Sequence, residues 1–143
     1  MDIKELNNLS DAQIADLLAL MAELDPEIAV SPDMLRAAAA DPATHLFAAV
    51  ESGHIAACAT LCISQSPTGR KGAIEDVVVG SAFRGRGLGR MMMEHIIEYA
   101  RQKHSPIVLH LTSRPAREAA NRLYQAVGMH RYDTNVYKLK LHL

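Results

Sequence analysis

The seven residues Arg84–Arg90 read RGRGLGR, with arginine at 84, 86 and 90 and glycine at 85, 87 and 89. They follow AIEDVVV (Ala73–Val79), a strand-like run holding two adjacent acids, and precede a methionine-rich amphipathic stretch. A helix N-terminus exposes unsatisfied N–H groups and carries about half a positive charge, so arginines are locally unfavourable there. An anion held in the turn resolves this. Gly85, Gly87 and Gly89 would let backbone N–H groups approach phosphate oxygens, and Arg84, Arg86 and Arg90 would supply charge. Without such a ligand the turn is a solvated basic loop.

Two common phosphate motifs fail. Gly80 and Gly85 have P-loop spacing, but Arg86 and Gly87 follow in place of Lys and Ser/Thr. Gly85 and Gly87 begin a dinucleotide fingerprint, but Arg90 stands where its third glycine belongs. The pattern that fits is [Arg/Gln]-x-x-Gly-x-[Gly/Ala], here Arg84-Gly85-Arg86-Gly87-Leu88-Gly89, following a Val79-to-Arg84 run out of a strand. This resembles the pyrophosphate loop of the GNAT family, the Gcn5-related N-acetyltransferases. The preceding IEDVVV strand, the following helix and the downstream REAANRLYQAVGM, similar to the family's N-x-x-A-x-x-L-Y-x-x-x-G-F element, sit at the family's spacing. The resemblance covers about residues 46–132; earlier residues match only in the order of elements. Arg117 stands where the family often has Asn, and Met129 replaces the usual Phe, a volume-tolerant core change.

The resemblance implies acetyl-CoA as cosubstrate and a CoA site made of Val77, Val78, Val79, Arg84, Gly85, Arg86, Gly87, Leu88, Gly89, Arg90, Arg114, Arg117, Asn121 and Tyr124. Val77 and Val79 would contribute backbone groups to the pantetheine arm, and their side chains suit a buried core equally well. Arg114 and Arg117 would meet the CoA phosphates, or remain solvated arginines beside a helix start. Tyr124 would be the general acid: a free tyrosine titrates near 10, above a thiol's roughly 8.5, so it can protonate a departing sulfur. Its alternative role is a core tyrosine with a satisfied hydroxyl.

Glu75 and Asp76 are adjacent acids in an apolar strand, where a buried charge needs a partner or a use. Alternation sends them to opposite faces, unless a bulge of the kind the family carries re-aims one. By resemblance to the small amino-sugar acetyltransferases, Glu75 is read as the base, directly or through water, and both acids as substrate-binding, with bracing the fold as the alternative role of Asp76. Nearby acids suit a cationic acceptor.

The surrounding elements must position these groups. DIKEL opens as a short strand. Ser10 caps a helix, with Gln13 completing a capping box. Ser31 and Pro32 start a second helix. Residues 45–64 read as two strands joined at Ser52-Gly53. Gln65–Gly72 reads as a polar loop that, with the first two helices, walls the acceptor site. A helix from about Gly87 to Lys103 turns Leu88, Met91, Met92, His95, Ile96 and Tyr99 inward. PIVLHLT (106–112) is a strand parallel to Ala73–Val79, a helix runs from Pro115 to a stop at Gly128, and the residues to Leu143 form one or two closing strands. The expected fold is α/β: one N-acetyltransferase domain over residues 1–143, its mixed, mostly antiparallel central sheet flanked by helices in the GNAT acyl-CoA N-acyltransferase arrangement.

Composition excludes several classes. The formal net charge is -1, and basic residues are not interleaved with aromatics, which argues against nucleic acid as partner. No apolar run reaches membrane-spanning length and the N-terminus lacks a signal-peptide core, so the expectation is a cytoplasmic protein without a membrane partner. Cys58 and Cys62 share a strand face as small hydrophobes rather than a disulfide. The seven histidines show no metal-binding spacing, and no G-x-S-x-G elbow is present, so no metal site is expected. The expected activity is acetyl transfer from acetyl-CoA to the primary amine of a small molecule, an amino sugar or other small amine, by direct transfer in a ternary complex. The alternatives are a protein N-terminal or lysine acetyltransferase and a non-catalytic CoA-binding module. A homodimer is compatible with the family, though no residue marks an interface.

Overall fold

A computed structural model describes residues 1–142. Strands β1 (Asp2–Leu6), β2 (Thr44–Glu51), β3 (His54–Ser66), β4 (Gly69–Val79) and β5 (Val108–His110) form one sheet in that order. The first four pair antiparallel; β4 and β5 pair parallel, as a strand–helix–strand unit requires. Helices α1 (Asp11–Leu24) and α2 (Pro32–Ala40) cover one face, burying Leu17, Leu20 and Leu35 against Leu46, Cys58 and Val78. Helices α3 (Leu88–His104) and α4 (Glu118–Ala126) cover the other with Phe47, Leu61 and Ile74. Among the described residues, no helix is long and apolar enough to cross a membrane.

Local chemistry sets most boundaries as expected. Ser10 and Gln13 form the reciprocal capping box, and Ser31 Oγ accepts from Met34 N–H at 3.2 Å, with Pro32 opening α2. Ser52 and Gly53 both adopt positive φ (51° and 79°), the twist a two-residue hairpin needs.

Four expectations change. Residues 65–72 are not a loop: β3 and β4 continue as a ladder to Ser66–Gly69, leaving Pro67 and Thr68 as the turn. Lys71 Nζ locks it, donating to Ser66 Oγ and Thr68 Oγ1 at 2.7 Å each. On α3 the core takes Met93, fully buried, while Met91 is 39% exposed, because the apolar stripe runs Leu88, Met92, Met93, Ile96, Ala100. His95 and Tyr99 sit at its border, their rings edge-on to Phe47. Strand β5 and helix α4 are shorter than read, and α4 begins three residues after Pro115, at Glu118. The closing strands do not form: residues 129–142 carry no strand and 131–142 are exposed. Alternation at Tyr137, Leu139 and Leu141 gives a strand pattern, but a strand needs a ladder partner, and this segment finds none among the described residues. Leu143 lies outside the described residues.

Candidate functional site

Strand β4 departs from regularity at its acids. Thr60 opposes Glu75 and Cys58 opposes Val78, so Asp76 and Val77 together face the single residue Ala59. This is a β-bulge, and Asp76 takes the left-handed conformation (φ 52°) that absorbs the extra residue. The bulge is the exception to alternation that the family resemblance implied, and it re-aims Asp76. Ile74 and Val77 pack on the α3 side. Asp76 lines a pocket on the α1–α2 side together with Thr60, the residue paired to Glu75. Both carboxylates therefore face the α1–α2 side. Both acids are exposed residues, and the loss of water around the Asp76 carboxyl at the pocket wall raises it above its ordinary range.

The other edge of β4 opens at the same level. Ladder contacts to β5 cover only Lys71, Gly72 and Ala73, so among the described residues Ile74–Val79 has no neighbouring strand on that side. This edge leads through Gly80 and a 3₁₀ turn, Ser81–Phe83, into the glycine–arginine segment. Gly85 and Gly87 adopt positive φ (77° and 75°), and a Cβ on either would point into open space. Gly89 answers a different need: its Cβ would sit 3.0 Å from Leu123 Cδ2, so α3 packs tightly on α4. Gly87 caps α3 without a side-chain hydrogen bond, and the helical ladder begins with Met91 N–H donating to the Gly87 carbonyl at 3.1 Å. The N–H groups of Leu88, Gly89 and Arg90 are left without intrahelical acceptors. The segment is thus shaped to receive an anion.

The three arginines are not free cations. Arg84 Nε donates to the Val79 carbonyl at 3.2 Å, and its Nη2 lies 3.8 Å from Glu23 Oε1. Arg86 grips Glu51 with both terminal nitrogens, which holds the Glu51 carboxyl below its ordinary range. Arg90 Nε donates to Glu94 Oε1 at 2.7 Å. The sequence reading missed these partners, which for Arg84 and Arg86 come from α1 and β2. All three pairs are solvent-exposed, the class of ion pair that contributes least, so a phosphate can compete for the guanidinium groups.

Tyr124 is buried in the α3-side core beside Leu88 and Met92. Burial raises its hydroxyl above the ordinary tyrosine range, with the nearby Arg117 cation pulling the other way. Asn121 is spent locally: its amide donates to the Arg114 carbonyl at 3.0 Å, holding the turn that carries Arg114 and Arg117. Neither thiol is suited to nucleophilic attack. Burial pushes Cys58 up to about 12, and Cys62 is raised chiefly by burial. Among the described residues no three His, Cys, Asp or Glu side chains assemble as a metal site.

The pocket at Asp76 occupies about 180 Å³ between α1, α2 and the sheet. Its apolar wall includes Leu17, Met21, Val30, Leu35 and Leu46. These residues were legible only as helix and strand core.

The model of the acetyltransferase (GNAT) family matches residues 12–129. Over 111 residues the chain is 32% identical to glucosamine 6-phosphate N-acetyltransferase 1 of Oryza sativa subsp. japonica, covering 68% of this chain and 67% of that protein. A solved structure from Agrobacterium tumefaciens str. C58, described provisionally as an acetyltransferase, superposes with a TM-score of 0.84 at 26% identity over 98% of this chain and 100% of that one. A ribosomal-protein-alanine N-acetyltransferase of Brucella melitensis biovar Abortus 2308 has a TM-score of 0.76 over 99% of each chain; at 19% identity it shares the fold alone.

Proposed function

The chain belongs to the acetyltransferase (GNAT) family and is an N-acetyltransferase, and we propose that it moves the acetyl group of acetyl-CoA directly to the primary amine of a small molecule. One observation carries this reading. The unpaired edge of β4 runs straight into the uncapped glycine turn, giving an extended arm and its phosphates one continuous track. The rice relative, named for a small amino-sugar acceptor, supports a small-molecule amine.

Acetyl-CoA supplies an activated thioester carbonyl and a good leaving thiolate. The N–H groups of the Gly85–Arg90 segment, with Arg84, Arg86 and Arg90 turned from their glutamates, would hold its pyrophosphate. Backbone groups of Val77, Val78 and Val79 would hold its arm, and Arg114 and Arg117, on the turn before α4, would meet its phosphates.

The protein's own groups manage the protons. Asp76 pairs with the incoming ammonium. Glu75 takes a proton from it, directly or through water, so that the neutral nitrogen attacks. The C–N bond would form as the C–S bond breaks; Tyr124 would give its hydroxyl proton to the departing sulfur, and the second proton of the nitrogen would pass through water back to the tyrosinate, leaving a neutral amide. The raised Tyr124 hydroxyl stays protonated through neutral and mildly alkaline pH, as a proton donor requires. Two elevated thiols leave no cysteine for an acetyl-enzyme, which favours direct transfer.

Tyr124→Phe tests the reading. It removes one buried hydroxyl and keeps the ring, so CoA affinity by calorimetry should hold while kcat falls by about 10²–10⁴-fold, the range of a positioned general acid. An unchanged kcat removes Tyr124 from the chemistry, and no turnover by the parent enzyme would favour a CoA-binding module.

A further inference from the structure

We propose that the acceptor is a primary amine carried on an apolar body rather than a phosphorylated or polyhydroxylated amine. This rests on the acetyl-transfer reading above and deepens it. The pocket beside the β4 bulge is lined by nine apolar side chains in company with Thr60, Asp25 and Asp76, and it contains no lysine or arginine. A phosphate brought there would lose water, meet two carboxylates and find no cationic donor, the group that phosphate recognition relies on. Sugar hydroxyls would meet mostly hydrocarbon and remain unpaired.

The charged groups of the pocket favour one orientation. Asp25 is committed locally, its Oδ1 accepting from Glu27 N–H at 3.0 Å. Arg36 on α2, the nearest arginine in sequence to the pocket's α2 residues, is turned to Asp11 and Asp33. Asp76 is exposed and makes no ion pair with any cation among the described residues, although desolvation at the pocket wall disfavours its charge. Its carboxylate is the group placed to meet an ammonium, at the bulge and next to Val77 of the open edge.

The mouth of the pocket is apolar as well. Ile28 is 55% exposed and Met34 51% exposed, both lining the cavity. Apolar side chains at a concave opening gain by being covered with hydrocarbon. A volume of about 180 Å³ lies below the roughly 300–1,000 Å³ of sites for drug-sized ligands, so the body is small, of the size of a short alkyl chain or one aromatic ring.

The test uses the full chain with saturating acetyl-CoA, thiol release as readout, and 2-phenylethylamine, hexylamine, glucosamine, glucosamine 6-phosphate and spermidine as acceptors. The expected result is a kcat/KM for the two apolar amines at least tenfold above the other three. A preference for glucosamine 6-phosphate, glucosamine or spermidine overturns the inference and leaves small-amine transfer standing. Silence across the whole panel, with acetyl-CoA binding retained by calorimetry, refutes the small-amine reading itself. Met34→Lys, at an exposed position that folding tolerates, should raise KM for 2-phenylethylamine at least tenfold and leave KM for acetyl-CoA unchanged. An unchanged amine KM would place the acceptor outside this pocket and overturn the proposal.

Discussion

Asp76→Asn separates the carboxylate's charge from its place in the fold. Asp76 is the extra residue of the β4 bulge and holds φ at 52°. Asparagine enters the left-handed region as readily as aspartate, so the bulge should survive and unfolding free energy should stay within about 0.5 kcal/mol of the parent. Function should not survive unchanged. A charge-assisted contact to an ammonium contributes about 1.5–3 kcal/mol. At 1.36 kcal/mol per tenfold, its loss raises KM for the amine by roughly 10–150-fold. The parent should also lose amine affinity as pH falls, because binding requires the ionised carboxylate and desolvation raises the Asp76 carboxyl. That acid limb lies above the ordinary aspartate value of about 3.9 and should vanish in the variant. The assay is initial-rate thiol release against amine concentration, at saturating acetyl-CoA, from pH 5.5 to 8.5. If KM for the amine stays within twofold while KM for acetyl-CoA rises, Asp76 serves the donor side and the reasoning fails. Asp76→Ala is the control for strain: alanine lacks aspartate's tolerance of positive φ and should lower stability by about 1–2 kcal/mol.

Three further outcomes follow from the same geometry. Arg84→Gln removes a cation beside the glycine turn and frees the Val79 carbonyl, so the Kd for CoA should rise about tenfold or more; an unchanged calorimetric Kd excludes Arg84 from the pyrophosphate site. Gly89→Val drives a branched side chain into Leu123, 3.0 Å from the Cβ position, and should cost about 1–3 kcal/mol in urea unfolding, where an unchanged midpoint would show that α3 and α4 can separate freely. His104 is held below the ordinary imidazole range, first by burial and then by His45 and Arg70, so the folded state accepts its proton less readily than the unfolded chain. Stability should therefore be full above the unfolded pKa of about 6.5 and decline as pH drops through it; His104→Asn should flatten the melting temperature between pH 7.5 and 5.5.

What could be read in the chain beforehand is what short segments encode by themselves. The Ser10–Gln13 box, the Ser31–Pro32 start, the Ser52–Gly53 hairpin and the Arg84–Arg90 turn each depend on neighbours within a few residues, and each forms. What depends on distant partners is not legible in this way. The bulge at Asp76, implied only by the family resemblance, is a property of two strands, and its position appears once Thr60 is set against Glu75 and Cys58 against Val78. Glu51 reaches Arg86 and Glu23 reaches Arg84 across the tertiary fold, so a turn that reads as bare positive charge proves to be balanced. Three successive methionines made the α3 stripe ambiguous by one position, and packing chose Met93 over Met91. The terminal alternation at Tyr137, Leu139 and Leu141 encodes a preference for a strand, but pairing needs a second edge that local sequence does not supply.

The bulge also explains how one strand can serve two substrates. In a regular β4, Glu75 and Asp76 would point to opposite faces, and one carboxylate would enter the apolar α3 side. One extra residue returns both acids to the α1–α2 side while Val77 and Val79 keep the α3-side packing. The same residues border the edge that β5 leaves open. Acceptor and donor can then approach a single backbone segment from different directions, with the acids on one side and the open edge on another. The left-handed Asp76 that makes this possible costs about 1–3 kcal/mol of local strain. Glycine at position 76 would relieve that strain but would remove the carboxylate. A residue held in a strained conformation that glycine would adopt freely, with its charge turned to a mostly apolar pocket, is what a binding role for Asp76 requires and what a purely structural role leaves unexplained.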